Sequence, residues 1–533
     1  MPRLRLCFFL FLALCPSLAQ VFNTHTVVLD ADGKLLSWAQ PQDKAYDRVV
    51  HLAWDFLLNK VRVEPNGLKS YYTYCCLDGN TMKGGSWPHN PAGLFAMLAD
   101  SGAAYYAYSG DRRVIDLVKG ILDYQLAHGS TPANWKWGDM PYASADHGAT
   151  EFRGAHESNY DNKHPGRGDG VGGIEPDKAA ELGAGYLKFY EITGDVRYRD
   201  AAIAIANTLA KDVRPGSSDK SPWPFRVYAE TGAVREEYAS DQIAMVRLFD
   251  ALIRLNLGKT EEYKPARDIA WKWLIDVPMK NNVWAQYFED IPIMDRLWNF
   301  NQYAPLETAR YILDHPEADP EWRTHVPALI AFVENTFAVD IDGYKGIEWG
   351  ANTISEQLDY KFKMGSHTSR YGSVVARWAE VTSDPAAKEK AFRSLNWATY
   401  MCREDGVVND QPKLDQNGIW FSDGYGDFIR HFMYAMGAQP EWSPSGEDHL
   451  LRSTSVVREV GYAPQQISYT TFDDHATEVL RLSFVPKMVT AGRKPLPKRG
   501  DLNAPGWAFD PEHQVLGIRH DDSGLVKISG TEN

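Results

Sequence analysis

Carboxylates, histidines and large aromatic side chains gather in six stretches of the chain. Trp87 and His89 stand in the first, Trp137, Glu175 and Asp177 in the second, and Glu236, Glu237 and Asp241 in the third. Trp349 and His367 belong to the fifth, and Trp420, Asp423, Tyr425 and Asp427 to the last. Cleavage of a glycosidic bond needs two carboxyl groups, one to protonate the leaving oxygen and one to act as base or nucleophile. Tryptophan and tyrosine offer flat apolar faces with polar edges, which suit sugar rings. Asp177 lies 16 residues before Thr193, and Asp241 lies 16 residues before Leu257, so the two occupy equivalent places in successive segments. They are the expected catalytic pair. Trp87, His89, Trp137, Glu237, Trp349, His367, Trp420, Asp423 and Tyr425 are the expected substrate-binding residues. Both aspartates also stand at helix starts, where the plainer role is an N-cap.

The elements that must position these residues repeat. Amphipathic helices begin at or near Asp43, Asp111, Asp195, Thr260, Asp319 and Asp384, residue types that cap helices well. A second set of helices, over 92–108, 177–192, 242–257, 303–313, 368–381 and 425–436, alternates with them. Short turns such as Ser109-Gly110-Asp111 and Thr193-Gly194-Asp195 lead from the second set into the first. The return connections are long. Twelve alternating helices therefore put every long connection, and the carboxylates with them, at one end of the array.

Repeats of this length, with uneven loops, predict a mainly α fold: an (α/α)6 toroid of six helical hairpins. The turns, helix count and length of residues 43–437 resemble the six-hairpin glycosidase superfamily. That resemblance implies a carbohydrate-active enzyme. It also places Asp177 where unsaturated-glucuronyl and rhamnogalacturonyl hydrolases of the superfamily carry a catalytic aspartate. The expected activity is hydrolysis of a poly- or oligosaccharide. One rival is a polysaccharide lyase or uronate epimerase on the same toroid, abstracting a proton with Tyr72, His89 or His367 beside Asn90 or Arg370. The other is a glycan-binding protein without catalysis.

From about residue 447 the pattern changes to short alternating runs (456–460, 466–472, 478–484, 488–490 and 515–520), which predict a small antiparallel β domain over 447–533. The toroid is expected over 20–446. Residues 1–19 read as a signal peptide: Arg3 and Arg5 precede a short apolar core and a Ser17-Leu18-Ala19 cleavage pattern. The expected location is secreted or periplasmic. A net charge of −14 argues against a nucleic-acid partner, and no later stretch is long enough to span a membrane. The expected partner is a carbohydrate substrate, with no nucleic acid and no membrane. After cleavage Cys75, Cys76 and Cys402 remain, and one disulfide from Cys402 to either neighbour is conceivable. Neither cysteine nor histidine spacing matches a zinc site, and no metal or other cofactor is expected. The Asp/Gly-rich segment 161–173 reads as a rim loop.

Overall fold

The computed structural model describes residues 20–156, 169–288, 300–339, 348–358, 362–412 and 419–532. Residues 1–19 and most of the 161–173 segment, Arg167 included, lie outside them.

Among the described residues twelve α-helices alternate between two rings. The inner ring is α2 (Pro91–Ser109), α4 (Pro176–Thr193), α6 (Ile243–Arg254), α8 (Tyr303–Asp314), α10 (Gly365–Thr382) and α12 (Ser422–Ala438). The outer ring is α1 (Ala45–Asp55), α3 (Arg113–His128), α5 (Val196–Asp212), α7 (Thr260–Leu274), α9 (Trp322–Phe337) and α11 (Pro385–Thr399). Each inner helix packs on the next, and α12 returns to α2, so the ring closes.

Sequence explains the two kinds of helix. In α5, Tyr198, Ala202, Ile205 and Leu209 are buried at spacings of four, three and four, while Arg197, Asp200 and Lys211 face solvent. Helix α2 is buried on nearly every side and is built almost wholly from small and apolar residues. Gly110 and Gly194 end α2 and α4 at φ of 74°, a left-handed conformation that costs glycine nothing. Asp195 then caps α5 by accepting from the Arg197 amide, and Asp384 caps α11 from the Ala386 and Ala387 amides. Two expected caps are not made. Thr260 is already the first residue of α7, and Asp43 lies in a single 3-10 turn, Gln42–Lys44, ahead of α1.

The long connections meet at one end and are stitched to one another. Cys76–Asp78 pairs with Ile419–Phe421, joining the first connection to the last. Gly173–Ile174, Arg226–Tyr228 and Ala233–Glu236 form a three-stranded sheet between the second and third. Arg226 fixes this sheet from inside, donating to Asp169 (3.0 Å), Glu175 (2.9 Å) and Glu236 (3.0 Å), all buried. Cys75, Cys76 and Cys402 are buried, and the conceivable disulfide from Cys402 is not formed.

The C-terminal strands form two antiparallel sheets. One has the order His449–Ser453, Ala476–Arg481, Val515–His520, Gly506–Asp510. The other runs Val457–Ala463, Gln466–Thr471, Leu525–Glu532, Phe484–Ala491, Lys494–Pro495. Leu480, Ile518, Ile467 and Ile528 belong to the apolar core that these strands share. The strands Val457–Ala463 and His449–Ser453 pack on the inner helices at the end opposite the long connections. There Arg254 joins Glu191 to Asp473, and Arg452 pairs with Glu380.

One buried pair in this region makes stability pH-dependent. The His520 ring faces the Asp474 carbonyl at Nδ1 (3.0 Å) and Glu478 at Nε2 (3.1 Å), two acceptors that together favour the doubly protonated ring. Burial alone would lower its pKa, but the bond to Glu478 carries it above its ordinary value. A raised folded pKa contributes stability that is full below the unfolded value of about 6.5 and is lost as pH rises through the folded one. Glu478→Gln is expected to cost about 3–5 kcal/mol below that pH, measured by urea unfolding, and progressively less above it.

Candidate active site

Asp177 is the second residue of α4, and Glu181 stands one turn further on the same face. Asp241 precedes α6, and electrostatic coupling joins it to both carboxyls. All three sit where the inner helices begin, at the end carrying the long connections. Asp241 is completely buried, and neither of its oxygens has a hydrogen-bond partner among the described residues. It caps nothing. Asp177 accepts the neighbouring Lys178 amide (2.9 Å), and its second oxygen has no hydrogen-bond partner among the described residues. The capping role open to both residues from sequence is therefore not the one they play.

Lys178 is the cation of this group. Its ammonium lies 3.5 Å from Asp177 and 3.9 Å from Glu175. It donates to the Tyr287 carbonyl (2.7 Å) and rests 3.3 Å from the centre of the Tyr287 ring. Tyr287 stacks on Tyr303, the first residue of α8, at 3.9 Å, and Tyr303 presents its hydroxyl to Glu181. Burial raises the pKa of all three carboxyls. Asp241 is pushed furthest above the ordinary range, because the neighbouring Glu181 and Asp177 add repulsion to the loss of solvent. For Asp177, Lys178 and the adjacent amide oppose the effect of burial, and the N-terminus of α4 favours its anion. Burial thus biases both carboxyls towards the acid form, Asp241 more strongly than Asp177.

His367, in the first turn of α10, has a defined tautomer. Arg370 can only donate, so the His367 Nδ1 that it meets at 3.1 Å accepts, and the proton sits on Nε2. Burial and the nearby Arg370 lower its pKa to about 3, so the ring is neutral. Nε2 is buried without a hydrogen-bond partner among the described residues, an unused donor. Phe288 lies edge-on to this ring at 6.0 Å, on the aromatic side formed with Tyr287 and Tyr303.

Deeper in the ring lies a layer of ion pairs. Glu307 of α8 stands 2.9 Å from Arg247, 3.5 Å from Arg310, 3.6 Å from Arg370 and 3.8 Å from Arg430. Asp427 holds Arg370, Arg430 (2.7 Å) and His431 (3.0 Å). Asp427 is therefore committed to this layer, as Glu175 and Glu236 are committed to Arg226.

The remaining expected residues are dispersed. His89 is buried between Phe95 (5.6 Å) and Phe152 (5.5 Å), and burial lowers its pKa to about 3. Trp137 is buried under the rim sheet, and Trp87 is half-buried against the main core. Glu237 pairs at the surface with Arg214 (2.6 Å) and Lys220 (3.2 Å). Trp349 packs edge-on to Phe22 (5.5 Å) of the N-terminal lead. The Tyr425 hydroxyl bonds Gly406 and Val408, bracing a loop, and its ring stacks on Phe56. Trp420 pairs its backbone with Leu77, and Asp423 is the second residue of α12, but their side chains lie outside the described residues. Tyr72 lines a separate outer cleft of about 340 Å³ with Lys69, Arg113 and Leu117. Glu181, Lys178 and Tyr303 stand outside the residues expected from sequence. Glu181 carried a usable signal, its spacing of four from Asp177 on one helix.

No protein-family profile matches the sequence, and no curated protein matches it either. Solved structures do match the fold. A D-mannose isomerase superposes with a TM-score of 0.54 at 10% identity, over 75% of this chain and 99% of the other. The cellobiose 2-epimerase of Spirochaeta thermophila gives 0.53 at 10%, over 75% and 98%. A sugar epimerase from a ruminal bacterium gives 0.51 at 11%, over 74% and 99%. At such identities the likeness is one of fold, and that fold is the (α/α)6 toroid of six helical hairpins.

Proposed function

We propose that the chain is an exported glycoside hydrolase. Residues 20–446 would act as its catalytic unit and 447–533 as a β unit closing the far end of the ring. The observation that carries this reading is the Asp177–Asp241 pair. Two carboxyls from adjacent inner helices lie in one buried group, with Asp241 pushed further towards its acid form than Asp177, whose anion Lys178 and the adjacent amide favour. Asp241 donates its proton to the glycosidic oxygen as the bond to the anomeric carbon breaks. Asp177 either attacks that carbon or takes a proton from the water that does. His367 Nε2–H offers a hydrogen bond to a sugar hydroxyl, and Tyr287 and Tyr303 offer an apolar ring face. The epimerase and lyase alternatives need a base with a free lone pair. His367 Nε2 carries a proton as long as Arg370 occupies Nδ1, which weighs against His367 as that base.

The test is incubation of the purified protein with a panel of poly- and oligosaccharides, reading reducing ends, ultraviolet absorbance and sugar epimers together. Reducing ends without absorbance support hydrolysis. Unsaturated product, or an epimer without chain cleavage, would sink it. The released anomer, read by NMR, separates direct attack by Asp177 from activation of water.

The pH profile follows from the same charges. Activity falls at low pH as Asp177 gains a proton and at high pH as Asp241 loses one. Removing the Glu181 charge removes a repulsion that raises Asp241. Glu181→Gln is therefore expected to move the alkaline limb of kcat/KM towards lower pH, by about one unit. An unmoved limb would show that Asp241 is not the group titrating there.

A further inference from the structure

The junction between α1 and the first C-terminal strand holds a second set of chemical groups, unconnected with the carboxyl pair. Asp47 of α1, Glu447 and His449 bring ligand-type atoms within 4.8 Å of one another. His449 is 7% exposed, and its ring stacks on Tyr108 with centroids 4.0 Å apart and planes 5° from parallel. Its Nδ1 lies 3.0 Å from the Tyr108 carbonyl, so Nδ1 donates and Nε2, which carries the lone pair of the neutral ring, is left to face Glu447. That Nε2 is buried, has no hydrogen-bond partner among the described residues, and stands 3.6 Å from Glu447 Oε2. A lone pair and a carboxylate oxygen repel unless something positive lies between them. At 3.6 Å a shared proton would make a poor hydrogen bond. A metal ion about 2.1 Å from each atom would instead separate neighbouring tetrahedral ligands by about 3.4 Å.

The surroundings are those of a ligand set. An imidazole whose other nitrogen is tied to a carbonyl has a fixed tautomer and orientation, as metal-binding histidines do. The Tyr108 hydroxyl (2.7 Å) and His51 Nε2 (3.0 Å) orient Asp47 through Oδ1. Lys44 (2.7 Å) holds Glu447 through Oε1, leaving Oε2 to face His449. Glu447 is 38% exposed, which gives an ion a path from solvent.

We propose that Asp47, Glu447 and His449 bind one divalent transition-metal ion, with water as a further ligand. One imidazole nitrogen with carboxylate oxygens suits zinc better than calcium or magnesium, which prefer all-oxygen sets. The ion joins the first outer helix to the start of the β region, so its effect is on the attachment of the sheets to the ring and not on the Asp177–Asp241 chemistry.

The test uses the untagged full chain, stripped with chelator and titrated with ZnCl2 by calorimetry. One equivalent is expected to bind, with a rise in the unfolding temperature. Co²⁺ in place of Zn²⁺ should give visible ligand-field bands. Glu447→Ala, which removes a partly exposed side chain and opens no cavity, and His449→Gln, which keeps an amide donor for the Tyr108 carbonyl, are each expected to weaken Zn²⁺ binding at least tenfold. No saturable heat in the wild type, or binding of equal strength in both variants, overturns the proposal. Asp177→Asn should bind Zn²⁺ as the wild type does, which separates this site from the fate of the hydrolase reading.

Discussion

Asp241→Asn is expected to lower kcat for glycan hydrolysis by about 10²–10⁴-fold, the usual contribution of a general acid, and at the same time to stabilise the protein. The two effects share one cause. Burial and the nearby Glu181 and Asp177 raise the folded pKa of Asp241 above its unfolded value. A carboxyl whose pKa is raised on folding opposes folding wherever the unfolded chain would ionise it, above about pH 4. The amide has nearly the shape of the neutral acid and carries no such penalty. The gain in unfolding free energy should therefore be present near neutral pH and vanish below about pH 4, where the acid is neutral in both states. Asp177→Asn should also abolish turnover, but with a smaller gain in stability, because Lys178 and the amide beside it favour the anion there. Denaturant curves at two pH values, paired with initial rates, test both halves. An Asp241→Asn protein that still turns over at wild-type rate, or is less stable near neutral pH, would remove Asp241 from the reaction.

The second large effect concerns the layer beneath. Glu307→Gln should cost about 3–5 kcal/mol, because removing one member of a buried ionic set leaves its partners uncompensated. Here the partners are four guanidinium groups, the nearest being Arg247 at 2.9 Å. Burial alone would raise the Glu307 pKa, but Arg310, Arg247 and their neighbours hold it far below the ordinary carboxylate range. A depressed folded pKa contributes stability that is present above the unfolded value of about 4.3 and is lost as pH falls towards the folded one. The gap between wild type and variant should therefore narrow on acidification. Arg370 belongs to the same layer and fixes the His367 tautomer, so the variant is also expected to raise KM. Urea unfolding at neutral and acid pH checks the first expectation. A loss below about 1 kcal/mol would mean that the four cations find other partners.

Much of this architecture was legible in the sequence because it is local. The four-three-four spacing in α5, the Gly194 turn and the Asp195 cap act within a few residues, and apolar periodicity separates helices buried all round from those exposed on one face. The kinship of Asp177 and Asp241 was legible for the same reason: each stands beside the start of its own inner helix. The sequence could not tell whether these aspartates cap helices or face the ring, because that depends on the charges which neighbouring helices bring. Only the fold sets Glu181 beside Asp241, lays Lys178 across Tyr287, and sends Asp427, Glu175 and Glu236 to arginines from other segments. Composition made tryptophans the natural sugar platforms, yet Trp137 and Trp349 pack as structural residues, because a large apolar surface is covered wherever packing allows. Asp47 and His449 are separated by nearly the whole ring, so no spacing rule relates them. Local chemistry thus determined the helices, their turns and the candidate pair. Protonation states, ion-pair partners and the junction at His449 depend on desolvation and on contacts between distant segments, and those exist only once the ring has closed.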